Sequence, residues 1–154
     1  MKGYWKIASP GWLIIGAMFA IAILLWPSAP EAMPMHWNFS GEIDGYGGKF
    51  EGLFLMPIMA TFIWGLMNVI AWIRSEKFNR GLRAPFFFFA YAVVLLDVGV
   101  FAVQAMHARG LMVNMNYVIW PLVVLLWVSI GNLVLSAVRL KSREGSPPQL
   151  GIPT

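Results

Sequence analysis

Apolar residues run along this chain in four long blocks, at about residues 7–26, 53–73, 85–106 and 117–138, and most charged residues fall between them. A helix that crosses the hydrocarbon core needs roughly 20 mostly apolar residues, within about 17–25. The last three blocks reach that length alone, and the first does so once residues 7–10 are counted. Trp5, Trp12, Trp26, Trp72, Tyr117 and Trp120 stand near block ends, the depth at which aromatic belts form. The pattern predicts an all-α membrane protein, a single integral membrane domain with four transmembrane helices in an up-down bundle. An outer loop at 27–52 and an inner loop at 74–84 join the helices, and a loose tail follows at 144–154. Lys2 and Lys6 give the first block the basic flank of a signal peptide, but Pro27 and Pro30 spoil a cleavage site nearby, so the block reads as a retained helix.

One stretch breaks the apolar pattern. Residues 34–50 read PMHWNFSGEIDGYGGKF, a polar, glycine-rich island. Met35, Trp37 and Phe39 alternate with His36, Asn38 and Ser40, the period of a strand with one apolar and one wet face. Asp44-Gly45 is a tight-turn signal. Gly47-Gly48 allows positive φ and close backbone approach. The expectation is a small structured cap, such as a short hairpin, with Met35, Trp37 and Phe39 as its underside.

Composition and charge sharpen the membrane reading. Charged residues make up 12% of the chain, where a soluble domain carries about 25%. Of the 11 cations, Lys2, Lys6, Arg74, Lys77, Arg80, Arg83, Arg139, Lys141 and Arg143 fall on one side of a four-helix topology, and Lys49 and Arg109 on the other. The positive-inside rule then places both termini and the 74–84 loop in the cytoplasm, with the cap outside. Cations at helix ends face lipid headgroups rather than nucleic acid. With no cysteine, thiolate chemistry is excluded. Neither a nucleophile elbow, nor a zinc-protease pair, nor a phosphate loop is present, so a non-enzymatic protein without cofactor is expected.

The spacing P-x-H-x-N-x-x-G-x-x-D-G-Y-G-x-K, at Pro34, His36, Asn38, Gly41, Asp44, Gly45, Tyr46, Gly47 and Lys49, resembles the hallmark loop of the SdpI-like bacterial membrane proteins. Leu55-Met56-Pro57 and the Ile130-Gly131-Asn132 step resemble that family too. The resemblance covers about residues 10–135. It implies a multi-spanning protein of the bacterial cytoplasmic membrane, with the motif in its first extracytoplasmic loop and an immunity-like role against a secreted peptide. Larger members continue into G-I-R-T-P-W-T-L, where this chain reads Gly151-Ile152-Pro153-Thr154.

The candidate chemistry is sparse. His36, Trp37, Asn38, Asp44, Gly45, Tyr46 and Lys49 are the candidate recognition residues of the cap. His36 and Asn38 are read mainly as shaping the loop through hydrogen bonds. His36, Glu42, Asp44 and Glu51 are weak metal candidates, short of a full ligand set. Ser40, Glu42, Asp44, Gly45 and Glu51 fall into part of a calcium-loop register, with serine a poor first ligand. His107 and Arg109, past the third block, either approach the acidic cap or form a solvated flank. Within the membrane, Asp97 is the costly residue, with Asn68 and Asn132 as plausible partners and Gln104 further along its helix. Its role is either a polar lock between helices or a titrating site.

Three functions fit these residues. The first is a membrane protein that binds a peptide or protein partner, in the membrane or periplasm, through its cap. The second is a small accessory subunit of a larger membrane complex, and the third a transporter or channel component that uses Asp97.

Overall fold

The computed structural model describes the backbone of residues 4–73 and 81–144 and the side chains of residues 6–73 and 81–142. Most of the inner loop and nearly all of the tail expected from the sequence lie outside the described residues. In chain order the elements are helix α1 (Tyr4–Leu25), strands β1 (Ala32–Trp37) and β2 (Ile43–Gly48), and helices α2 (Lys49–Ile73), α3 (Arg83–His107) and α4 (Asn116–Glu144). All four helices are long and apolar enough to cross a membrane. Helix is the form such runs must take, because lipid offers no partner to a free backbone N–H or carbonyl.

The helices extend further than the apolar blocks. Polar ends such as Lys49 and Arg83 join them, since helix formation continues past the hydrocarbon boundary until a turn signal stops it. Prolines lie inside three helices, at Pro10, Pro57 and Pro121. Each removes one N–H donor. Hydroxyls serve carbonyls of the same turns: Tyr91 Oη donates to the Ile7 carbonyl at 2.5 Å, and Thr61 Oγ1 to the Pro57 carbonyl at 2.8 Å.

Side-chain contacts fix the up-down order. Trp26, just past α1, faces Lys49 at the start of α2. His107, ending α3, meets Tyr46 of β2, and Asn116, opening α4, bonds to the Phe39 carbonyl. Thus α1 and α3 run toward the hairpin, and α2 and α4 run away from it. α3 is the central element, packed against α1, α2 and α4. Only 6% of the α4 span is buried inside the protein, against 44% of α3. The result is a core of α1, α2 and α3, with α4 laid against α3.

Trp64 of α2 anchors that core. It is fully buried, 4.8 Å from the Tyr91 ring and 6.1 Å from that of Phe87. The indole lies where a Cβ on Gly11 would stand, so α1 approaches closely only because residue 11 is glycine. Trp12, Trp26, Trp72, Tyr117 and Trp120 are exposed near the helix ends, where aromatic rings suit the lipid interface.

Candidate functional site

The polar island folds into an antiparallel hairpin that runs directly into α2, with Gly48 ending β2 and Lys49 opening the helix. The pairing is irregular. Pro34 faces Tyr46 and His36 faces Gly45, which leaves Met35 as an extra residue; Trp37 then faces Ile43, which leaves Asp44 extra. Each bulge resets which face the next side chain takes. Met33 and Pro34 are consequently fully buried, Met35 and Trp37 half-buried, and Phe39 94% exposed. The expected underside of Met35, Trp37 and Phe39 is therefore corrected: Met33 and Pro34 form it, and Phe39 points away.

The turn also differs from expectation. Asp44-Gly45 lies inside β2, and the chain reverses at 38–42 instead. There the Gly41 N–H donates to the Asn38 carbonyl at 2.9 Å and the Asn38 N–H to the Glu42 carbonyl at 2.9 Å. Gly41 carries the positive φ, +78°. Gly45 and Gly47 serve close approach: a Cβ would stand 2.8 Å from His36 Cβ and 2.6 Å from Met35 Cγ, respectively. Neither Gly47 nor Gly48 uses the positive φ that glycine allows.

Residues far along the chain hold the hairpin. Asn114 Nδ2 donates to the Ser40 carbonyl at 3.0 Å and Asn116 Nδ2 to the Phe39 carbonyl at 2.9 Å, while the Met115 N–H approaches the Gly41 carbonyl at 3.4 Å. The Asn114 side chain is itself fixed, its Oδ1 accepting from the Asn116 N–H at 2.9 Å. Three successive turn carbonyls are thus bound by one short segment. Deeper down, the buried Gln104 Nε2 donates to the Pro34 carbonyl at 3.3 Å and lies 3.6 Å from Met35 Sδ. Gln104, read from the sequence as an intramembrane polar residue, is the tie between α3 and β1. Replacing it with leucine is expected to free the Pro34 carbonyl at a cost of about 1 kcal/mol. Amide exchange across β1 should then quicken severalfold while the helices stay protected; unchanged exchange would refute the tie.

The cap's polar side chains pair among themselves. His36 Nδ1 hydrogen-bonds Asp44 Oδ1 at 2.5 Å. Asn38 Nδ2 donates to Glu42 Oε2 at 3.2 Å, and the Glu42 N–H donates to Asn38 Oδ1 at 3.0 Å. Lys49 Nζ lies 3.4 Å from Glu31 Oε1 and 5.2 Å from the centre of the Trp26 ring. Exposed pairs of this kind stabilise by about 1 kcal/mol or less, so their effect is on shape. Among the described residues no three histidine, aspartate or glutamate side chains converge as metal ligands. His36 and Asp44 pair across the strands, Glu42 turns to Asn38, and Glu51 reaches back toward Gly48.

The intramembrane polar set is not gathered in one place. Asp97 is half-buried, and its Oδ2 is buried with no hydrogen-bond partner. Of its plausible partners, Asn68 donates through its amide to the Trp64 carbonyl of its own helix at 2.6 Å. Asn132 lies exposed on α4, 3.5 Å from Ser136 Oγ.

Two clefts flank the hairpin. One, of about 320 Å³, lies between residues 35–39 and Met115, Asn116, Ile119 and Trp120. The other, of about 310 Å³, lies between β2 and residues 111–114, with His107 and Tyr46 on its wall. His107 does approach the cap, its ring 6.5 Å from that of Tyr46. Sequence reasoning missed Asn114 and Asn116; the available signal was an N-x-N spacing just before α4, where asparagine commonly bonds to nearby backbone.

Residues 13–61 match a family described as a domain of unknown function, DUF1648. That stretch holds most of α1, the whole hairpin and the first half of α2. A relative from Bacillus subtilis (strain 168), described as uncharacterized membrane protein YbgB, is 26% identical over 84 residues, covering 54% of this chain and 85% of the relative. No solved structure matches. The protein is thus similar to a membrane protein described as uncharacterized, and the segment that matches the family of unknown function is centred on the hairpin.

Proposed function

We propose that the hairpin is the recognition element of a non-enzymatic membrane protein and that it receives an extended peptide segment of a partner. The observation that carries this reading is Phe39. It is 94% exposed at the hairpin tip, yet the backbone beneath it is pinned by Asn114, Asn116 and the Met115 N–H. A large aromatic held in place loses little entropy on contact, which is how interface hot spots work. No further strand pairs with the outer side of β1, and residues 35–37 of that strand line the 320 Å³ cleft. An extended chain can add to such an edge through backbone bonds while its side chains fill adjoining pockets.

The SdpI-like resemblance of the loop supports a secreted peptide as that partner. The cation distribution supports a bacterial cytoplasmic membrane, with the hairpin outside and both termini inside. Phe39→Ala should weaken partner capture from native membranes by about 2 kcal/mol, roughly thirtyfold, with thermal unfolding unchanged. Equal capture by both forms would remove the hairpin from the interface. A second reading, an accessory subunit of a larger complex, is favoured by α4. Its outer face carries exposed Asn132 and Gly131 within the membrane span, residue types found where membrane helices pack together.

A further inference from the structure

We propose that the groove between α1 and α3 is a binding site for one anionic phospholipid, with an acyl chain in the groove and the headgroup phosphate on Arg109. The groove encloses about 610 Å³, within the roughly 300–1,000 Å³ of ordinary ligand sites. Ile14, Met18, Ile21, Val98, Phe101 and Ala105 form its walls. Its one charged wall residue is Arg109, at the hairpin end.

The dimensions suit one leaflet. At ~1.5 Å per residue the walls rise about 16 Å from Ile14 to Leu25 on α1 and about 14 Å from Val98 to the end of α3 at His107, with Arg109 just beyond. Half of a hydrocarbon core of roughly 30 Å is about 15 Å. The groove therefore starts near the bilayer midplane and opens at the headgroup level on the hairpin side. Both helices run toward the hairpin, so the Leu25 and Arg109 end of the groove meets that surface.

Charge selects the headgroup. On the hairpin side the two cations are Lys49 and Arg109. Lys49 is engaged by Glu31 and the Trp26 ring. Arg109 is exposed, and among the described residues no carboxylate pairs with its side chain. Within the hairpin, Asp44 is engaged by His36 and Glu42 by Asn38. A guanidinium offers a fork of donors that fits phosphate oxygens. A zwitterionic lipid carries its own cation beside that phosphate, so a lipid with net negative charge gains more from Arg109. This site is separate from the peptide cleft and does not depend on that reading.

The test uses the full chain, stripped of lipid in detergent and titrated with phosphatidylglycerol or phosphatidylcholine, with retained lipid counted by native mass spectrometry. Phosphatidylglycerol should be held at least tenfold more tightly. Arg109→Gln should abolish that preference and Arg109→Lys keep part of it. Ala105→Leu, which fills the groove, should lower retention of both lipids, and Ala102→Leu replaces it if that variant fails to fold. Equal retention of the two lipids, a preference that survives Arg109→Gln, or full retention in the filled groove would each overturn the proposal.

Discussion

Gly41→Ala is expected to unseat the hairpin while leaving the four helices folded. Gly41 sits at φ +78°, where an L-residue costs about 1–2 kcal/mol. The added Cβ would also stand 2.1 Å from Asn114 Oδ1 and 2.9 Å from Asn116 Cγ. Those two amides hold the Ser40 and Phe39 carbonyls, so pushing them aside loosens the turn they bind, at about 1 kcal/mol per bond. The sum is about 3 kcal/mol, more than a hundredfold in the opening equilibrium. Gly110→Ala supplies the control. It has nearly the same backbone, φ +75°, but nothing within 4 Å of the added carbon. Amide exchange over residues 32–48 should therefore rise by two orders of magnitude in the Gly41 variant and stay near wild type in the Gly110 variant. Equal behaviour would mean that the asparagine clamp contributes nothing. Loss of Phe39 positioning should accompany the opening, so the Gly41 variant should also fail to capture a partner that the Gly110 variant retains.

The four helices were readable from the sequence because the bilayer imposes one length and one polarity on every span, and blocks such as 85–106 meet both. That the polar island would be ordered was readable too, from its alternation and its glycines. Its internal geometry was not. The Asp44-Gly45 turn rule assumes a regular ladder, and two bulges move the reversal to Gly41 while turning Phe39 outward. Glycine is needed at residues 45 and 47 for a different reason from the turn rule's, because the facing His36 and Met35 side chains leave no room for a Cβ. The clamp was invisible because Asn114 and Asn116 bind carbonyls more than 70 positions away. A backbone carbonyl also carries no residue-type signature that a sequence could show. Gln104 drew notice as a polar residue in an apolar run, but its depth alone could not say that Pro34 lay opposite. The partner of Asp97 was not readable for a related reason: depth along a helix fixes height in the membrane and leaves the direction around the axis open.

Widening the contact between α1 and α2 is expected to destabilise the whole bundle, and Trp64 is where this shows most. Within lipid, apolar side chains gain nothing from leaving water, so helix packing rests on close contact between surfaces. Trp64 supplies that contact to two partners at once, α1 at Gly11 and α3 at Phe87 and Tyr91. Trp64→Ala leaves a void that neither helix can fill without shifting, at a cost of about 3 kcal/mol. Gly11→Val acts on the same contact from the other side. Its Cβ would stand 2.2 Å from the buried indole, and the ring is fully buried with Tyr91 and Phe87 packed beside it. Overpacking of this kind costs about 1–3 kcal/mol. Gly16→Val is the matched control in the same helix, since nothing lies within 4 Å of a Cβ there. Unfolding in detergent should shift strongly downward for Trp64→Ala and Gly11→Val and little for Gly16→Val. The double variant Trp64→Ala, Gly11→Val should be less destabilised than the sum of its parts, because the valine enters space that the indole has vacated. Strict additivity would show that the two helices do not meet at this pair.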